Sequence, residues 1–273
     1  MQYYRSKKNT DEQGRMKHIG LKEGEVARSV LLPGDPQRSK IIAEYFGSSK
    51  DMGQRKTFAT FTGKTPGGAD ISVMSSGMGC MSISLALEEL AHLGVDTAIR
   101  VGTGAGIQYP FQPGALVIAT GCVRGEGASY EYVPPDYPAV ADYRVVSALK
   151  QACDELGETP VVGLYRSHDS FYMESKVAHE GLQQRMQIWQ DTNVQMIENE
   201  SGTLFTLGYL LGIKTGSICV ALGSMFDRGT ADDPDSFAYA VYQDPDFMDK
   251  RIALASKAAI RAVEILSERE GEL

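Results

Sequence analysis

Thr97-Ala98-Ile99-Arg100-Val101-Gly102-Thr103-Gly104-Ala105-Gly106 is the stretch on which the fold turns. Thr97 to Val101 reads as a buried strand, and a glycine-rich run follows it directly. Glycines after a strand announce a dinucleotide-binding turn when they are spaced G-x-G-x-x-G and open a helix. Here the chain continues Ile107-Gln108-Tyr109-Pro110, which opens no helix. The glycines therefore mark close backbone approach to something small, not a pyrophosphate on a helix end. Arg100 adds to this: a charge at the end of an apolar strand is costly to bury without an anion or a carboxylate beside it. A buried Arg–Glu pair and an anionic ligand both meet that demand.

Working outward, Cys80 to Leu93 carries Ile83, Ala86, Leu87, Leu90 and Ala91 at the spacing of a core-facing helix. Ser29 to Leu32 predicts a strand, closed by Pro33-Gly34-Asp35-Pro36 and followed by helix to about Tyr45. Phe58 to Thr62 and Ile71 to Met74 predict a hairpin around Thr65-Pro66-Gly67-Gly68. Gly63-Lys64-Thr65 resembles the tail of a P-loop, but position 58, where that motif needs its first glycine, is Phe58. Downstream, strands are expected at Leu116 to Ala119, Val161 to Tyr165 and Lys214 to Leu222, with helices at Tyr143 to Leu156, Gly202 to Leu211 and about Phe247 to Arg269. The last of these shows Ile252, Ala255, Ala259, Val263 and Leu266 on one stripe. This alternation is the α/β pattern. Without repeats, low-complexity segments or linkers, it predicts a single domain over residues 18–273. The polar start MQYYRSKKNTDEQGR reads as a flexible arm, residues 1–17.

The chain has 273 residues, 42% of them hydrophobic and 23% charged, which suits a globular protein with a sizeable core. Its net charge of −8 argues against a nucleic-acid partner. There is no apolar run long enough for a membrane span and no secretory signal at the N-terminus. Cys80, Cys122, Cys153 and Cys219 lack metal-ligand spacing and read as free thiols of a reducing cytoplasm, with no metal expected.

The anion-binding reading of Arg100 gains support from Pro33-Gly34-Asp35-Pro36-Gln37-Arg38, where a second strand ends in a glycine with an arginine one helical turn on. Two such strand ends suggest a small oxyanion at one rim of an open sheet. Arg55 offers a third cation, although taken alone it reads as a solvated surface charge. In Ile197-Glu198-Asn199-Glu200-Ser201-Gly202, Glu200 precedes a helix, where it could serve only the helix dipole. Equally, one of these carboxylates could accept hydrogen bonds from a vicinal diol such as that of ribose.

With these residues in view, the sequence resembles the nucleoside phosphorylases of the uridine phosphorylase and hexameric purine nucleoside phosphorylase type. The carriers are His18-Ile19-Gly20-Leu21, Pro33 to Arg38, Leu87-Glu88-Glu89-Leu90, Arg100 to Thr103, Gly127-Ala128-Ser129, Tyr137 to Asp142, Asp169-Ser170-Phe171-Tyr172 and Glu198 to Ser201. The Gly-Ala-Ser and Pro-Ala-Val-Ala-Asp stretches look most like the uridine branch. The resemblance implies a mixed, partly barrel-like α/β sheet flanked by helices, assembled as a hexamer of three dimers. It implies that Gly34, Arg38, Arg100 and Thr103 hold phosphate, completed by Arg55 of a neighbouring subunit. His18 would reach across the same interface to the ribose 5′-hydroxyl. Glu200, with Glu198 and Asn199 beside it, would hold the ribose. Phe171 and Gly104 would flank the base, and Arg228 or a protonated Asp227 would stabilise it as it leaves. Inorganic phosphate is then a co-substrate, and no cofactor is expected.

Three departures from the uridine branch stand out, and Asp227 adds an ambiguity. Ser175 and Val177 stand where a glutamine and an arginine would read the two polar edges of uracil. Asn199 replaces a methionine between the two glutamates, and Lys56 replaces a glutamate that helps bind potassium in some uridine phosphorylases. Asp227 stands where the uridine branch has asparagine, as in purine enzymes that protonate the base. A nucleosidase using water is opposed by the three arginines, while a nucleoside-binding protein without turnover is the rival that the departures motivate.

Overall fold

The structure is a computed structural model, and it describes residues 5–108, 111–171, 182–225 and 245–271. Strands and helices alternate through most of it. β1 (Ser29–Leu32), α1 (Pro36–Ala43), β2 (Ser48–Arg55), β3 (Phe58–Lys64) and β4 (Asp70–Met74) are followed by α2 (Cys80–His92), β5 (Thr97–Gly106) and β6 (Leu116–Gly125). After these come β7 (Ala139–Val140), α3 (Tyr143–Glu155), β8 (Val161–His168), α4 (Leu182–Asp191), β9 (Val194–Glu198), α5 (Ser201–Leu211), β10 (Lys214–Ser224) and α6 (Pro245–Gly271).

The ten strands share one sheet, and β5 organises it. One edge of β5 runs parallel to β10 from Thr97 to Gly106. The other edge is divided: Thr97 to Arg100 pair with β1, while Ala105 and Gly106 pair antiparallel with β9. β10 continues to β6, β6 to β8 and β8 to β9, so the ring β5-β10-β6-β8-β9 closes on itself. From β1 the sheet also extends outward through β4 and β3 to β2. The expected partly barrel-like sheet is therefore present.

β5 does not end at Val101, as the glycine run suggested, but continues to Gly106. A Cβ on Gly104 would lie 2.6 Å from the Ile197 carbonyl oxygen, and one on Gly106 would lie 2.5 Å from the Phe111 ring. The glycines let β5 pass from the open wing into the barrel with its neighbours pressed against it. Gly63-Lys64-Thr65 lies at the end of β3 and the start of its turn, as the hairpin reading requires.

Both faces of the sheet are covered. The apolar stripe expected on α2 is realised by Ile83, Ala86, Leu87 and Leu90, which share a core with Leu204, Phe205 and Leu207 of α5 and with Met16, Ile19 and Leu21. On the other face, Ile42 of α1, Val145 and Leu149 of α3, and Ala255, Ala259 and Val263 of α6 form a second core. α5 is buried on nearly every side, which its apolar and small residues permit.

Two sequence expectations change. The packed chain begins inside the stretch read as an arm: Met16 is 1% exposed and pairs with Thr10, while the Asp11 carboxylate accepts the Gln13 and Arg15 amides at 3.1 and 2.9 Å. Polar composition concealed this because one buried methionine and a side-chain-capped turn carry the packing. β2, with its polar sequence SSKDMGQR, was not anticipated either. It is an edge strand held by its pairing to β3, and polar residues suit an edge exposed to water. The four cysteines are free and buried, and among the described residues no helix is long and apolar enough to cross a membrane.

Candidate active site

The parallel register of β1 on β5 sets Leu32 opposite Arg100, so the Gly34 turn and the Arg100 side chain meet at one rim. Asp35 caps α1 by accepting the Gln37 amide at 2.7 Å, and Pro36 enters the first turn with its φ already suited to helix. That entry places Arg38 within the first turn. From the barrel, the β9–α5 junction brings Asn199 and Glu200 to the same place. The resulting cavity, about 580 Å³, is lined by Gly34, Arg38, Arg100, Thr103, Asn199 and Glu200, with Phe171 at 65% exposure beside its mouth.

Arg100 is buried between two carboxylates. Its Nε lies 2.9 Å from Glu198 Oε2, and its Nη2 lies 2.5 Å from Glu200 Oε2. The carboxylate-paired reading of this residue is thus realised, and the paired guanidinium also lines the cavity. The two anions raise its guanidinium pKa further, against the cost of burial. Arg100 Nε and Glu200 Oε2 nevertheless have no well-aligned hydrogen-bond partner among the described residues, so the charge pairs leave bonding capacity unspent.

Arg38 differs from Arg100. It is half-buried and no carboxylate of the described residues forms an ion pair with it. Burial, followed by the positive charge of Arg100, pushes its pKa down. Two guanidiniums that repel each other across a cavity define a place for an anion with more than one negative charge.

Gly102 makes room for this arrangement. A Cβ there would stand 2.8 Å from Arg100 Cζ, so the side chain runs across the glycine. Gly102→Ala is expected to displace the guanidinium and lower kcat/KM by about 10-fold or more, with steady-state kinetics as the check. An unchanged rate would mean that Arg100 does not depend on this clearance.

Glu200 precedes α5 without capping it, and its Oε1 accepts the Gly79 amide at 2.6 Å. Burial raises its pKa, with the nearby Arg100 opposing that shift. The helix is capped by Glu198, whose oxygens accept the Ser201 amide at 3.0 Å, the Glu200 amide at 3.0 Å and the Ser167 hydroxyl. Glu198 is buried, and its oxygens are engaged by these donors and by Arg100. Asn199 lines the cavity while its amide donates to the His168 carbonyl. Gly104 is buried against β9, where a Cβ would meet the Ile197 carbonyl and the Met196 side chain.

His18 and Arg55 are brought together, but away from this cavity. Arg55 ends β2 and pairs with Asp11 at 2.9 Å, and its side chain lies so close to Gly20 that a Cβ there would be 2.7 Å from Arg55 Cδ. His18, two residues before that glycine, places Nδ1 2.8 Å from Glu89 Oε1. Lys56 occupies the β2–β3 turn with φ 55°. Ser175, Val177, Asp227 and Arg228 lie outside the described residues.

Sequence reasoning missed Asp169 and Gly79 on the cavity wall. Gly79 left a signal, because its φ of 85° serves the turn that opens α2. Asp169 was quoted only as part of a motif; its carboxylate accepts the Gly127 amide at 2.8 Å and so ties the β6 and β8 loops. Cys80, Glu126 and Asp169 gather possible ligand atoms within 4.8 Å. Burial raises the Cys80 thiol and it donates to the Asn199 carbonyl at 3.1 Å, which disfavours the thiolate a metal would need.

A family model described as the Phosphorylase superfamily matches residues 28–267, which span both rims of this cavity. The chain belongs to the phosphorylase superfamily. Among relatives, a uridine phosphorylase of Treponema pallidum is 39% identical over 218 residues, covering 77% of this chain and 83% of that protein. A guanosine phosphorylase of Halorubrum lacusprofundi is 34% identical, covering 76% and 83%. A crystal structure of uridine phosphorylase from Vibrio fischeri superposes with a TM-score of 0.80 at 28% identity, covering 93% of this chain and 99% of that one. The phosphorylase superfamily fold and these relatives make the chain a pentosyltransferase of the nucleoside phosphorylase class.

Proposed function

We propose that the enzyme catalyses reversible phosphorolysis of a ribonucleoside to free base and ribose 1-phosphate, with uridine among its substrates and a base preference broader than that of strict uridine enzymes. The observation that carries this reading is Arg38, without an ion-paired carboxylate among the described residues, beside Arg100 in one cavity with Glu200. Breaking a glycosidic bond builds positive charge on the sugar and negative charge on the departing base. Arg38 and Arg100 would hold phosphate on one face of the sugar, positioning the nucleophile and offsetting the developing charge through it. Glu200, with one oxygen still lacking an aligned donor, is suited to accept from the ribose 2′- or 3′-hydroxyl.

The wider preference is argued from Ser175 and Val177, which offer uracil no bidentate partner, and from a guanosine phosphorylase among the relatives. Asp227 favours the purine reading as a possible proton donor to the base. Ranking kcat/KM for uridine, thymidine, inosine, guanosine and adenosine tests this. Comparable values for uridine and a purine nucleoside support breadth, whereas an exclusive preference for uridine would remove it.

We also place the enzyme in the cytoplasm, acting in nucleoside salvage as a hexamer of dimers with Arg55 and His18 serving a neighbour's cavity, and without a metal or organic cofactor. The Lys56 ammonium in the β2–β3 turn would stand in for the potassium ion of some relatives. Activity is expected to be the same in sodium and potassium buffers, and a potassium requirement would sink that substitution.

A further inference from the structure

Glu89 lies on α2, is 6% exposed, and spends its carboxylate almost wholly on His18 and its neighbour. Oε1 and Oε2 each accept the His18 amide at 3.0 Å, Oε2 accepts the Ile19 amide at 2.8 Å, and Oε1 meets His18 Nδ1 at 2.8 Å. A buried carboxylate collecting three donors from one short loop fixes both the backbone and the ring that the loop carries. Since an ionised carboxylate only accepts hydrogen bonds, Nδ1 must hold its proton. When the ring is neutral, its lone pair then lies on Nε2. The His18 side chain is 26% exposed, and the ring contact it makes among the described residues is the one from Nδ1 to Glu89. Arg15 supports the same loop by donating to the Gly20 carbonyl at 2.8 Å while pairing with Glu25.

We propose that Glu89 is a positioning residue that sets the specificity of the enzyme for a free 5′-hydroxyl. It locks His18 in the Nδ1–H tautomer, so that Nε2 accepts the hydroxyl proton of a nucleoside bound in the neighbouring subunit. This rests on the proposed ribose role of His18. Glu89 touches no substrate itself and acts only through the ring.

The test compares three substrates: the preferred nucleoside of uridine and guanosine, its 5′-deoxy analogue and its 5′-O-methyl analogue, which can accept but not donate. The intact enzyme is expected to favour the nucleoside over the 5′-deoxy analogue by about 10-fold in kcat/KM. His18→Ala should bring that ratio close to one. Glu89→Ala should do the same, with kcat/KM falling more for the nucleoside than for the 5′-deoxy analogue. Glu89→Gln preserves the volume and one acceptor oxygen, but turns an amide N–H2 toward the loop's donors. It should move the ring proton to Nε2 and lower the nucleoside to 5′-O-methyl ratio by about 10-fold.

A ratio that survives in His18→Ala would overturn the ribose role of His18, and the proposal with it. If the ratio collapses in His18→Ala but is retained in both Glu89 variants, Glu89 is not the positioning residue. Equal losses on all three substrates in the Glu89 variants would likewise overturn the proposal, since they indicate structural support alone.

Discussion

Arg38→Met is expected to lower kcat/KM by about 10²- to 10³-fold, the cost of removing one preorganised charge from an anionic site, while the melting temperature stays level or rises slightly. The loss should appear chiefly as a higher KM for phosphate. The stability half of this expectation follows from the charges present. Arg38 has no ion-pair partner among the described residues, and Arg100 acts on it as a repelling neighbour. Removing it relieves the cost of its burial and that repulsion, against the loss of a weaker attraction to Asp35 and Asp249, with which it forms no ion pair. Steady-state kinetics at varied phosphate together with thermal unfolding checks both parts, and a destabilised but fully active variant would place Arg38 in the scaffold instead of the site.

Arg100→Met is expected to do the opposite to stability. It leaves Glu198 and Glu200 facing each other in a buried setting without their shared cation, which costs about 3–5 kcal/mol. In a chain of this size that is a fall in melting temperature on the order of 10 °C. Activity should fall at least as far as in Arg38→Met, because Arg100 both lines the cavity and orients Glu200. Unfolding measured at a pH where carboxylates are ionised checks the first expectation. A melting temperature close to that of the parent would mean that the two glutamates find other partners.

The contrast between these arginines marks how far the sequence could be read. Both stood at strand ends beside glycines, and only together did they suggest an anion site, since Arg100 alone also read as half of a buried Arg–Glu pair. Which of them also belongs to the internal charge balance was not legible, because Glu198 and Glu200 reach Arg100 only through the pairing of β9 with β5 at Ala105 and Gly106. The same holds for the two glutamates. They are separated by one residue, yet Glu198 caps α5 while Glu200 faces the cavity, a division of labour set by the turn into the helix.

Strands with apolar runs, such as Ser29 to Leu32 and Lys214 to Leu222, were plain from composition. β2 was not, since an edge strand held by main-chain hydrogen bonds needs no apolar pattern. The length of β5 was hidden for a related reason. Glycines that usually end a strand instead allow this one to bend between two neighbours on the same edge. Gly104, expected at the base from resemblance, is also one of the glycines that this packing requires. The roles of His18 and Arg55 across an interface came from resemblance, and their common setting around Gly20 could not have been found from spacing, because the contact joins the N-terminal loop to the far end of β2.

The most direct test of the central claim is the formation of ribose 1-phosphate, measured alongside base release from uridine and guanosine with and without inorganic phosphate. The account predicts release that depends on phosphate and yields one ribose 1-phosphate per base freed, for at least one of the two nucleosides. Release that proceeds equally without phosphate and yields free ribose would contradict it, because Arg38 and Arg100 would then have no dianion to hold.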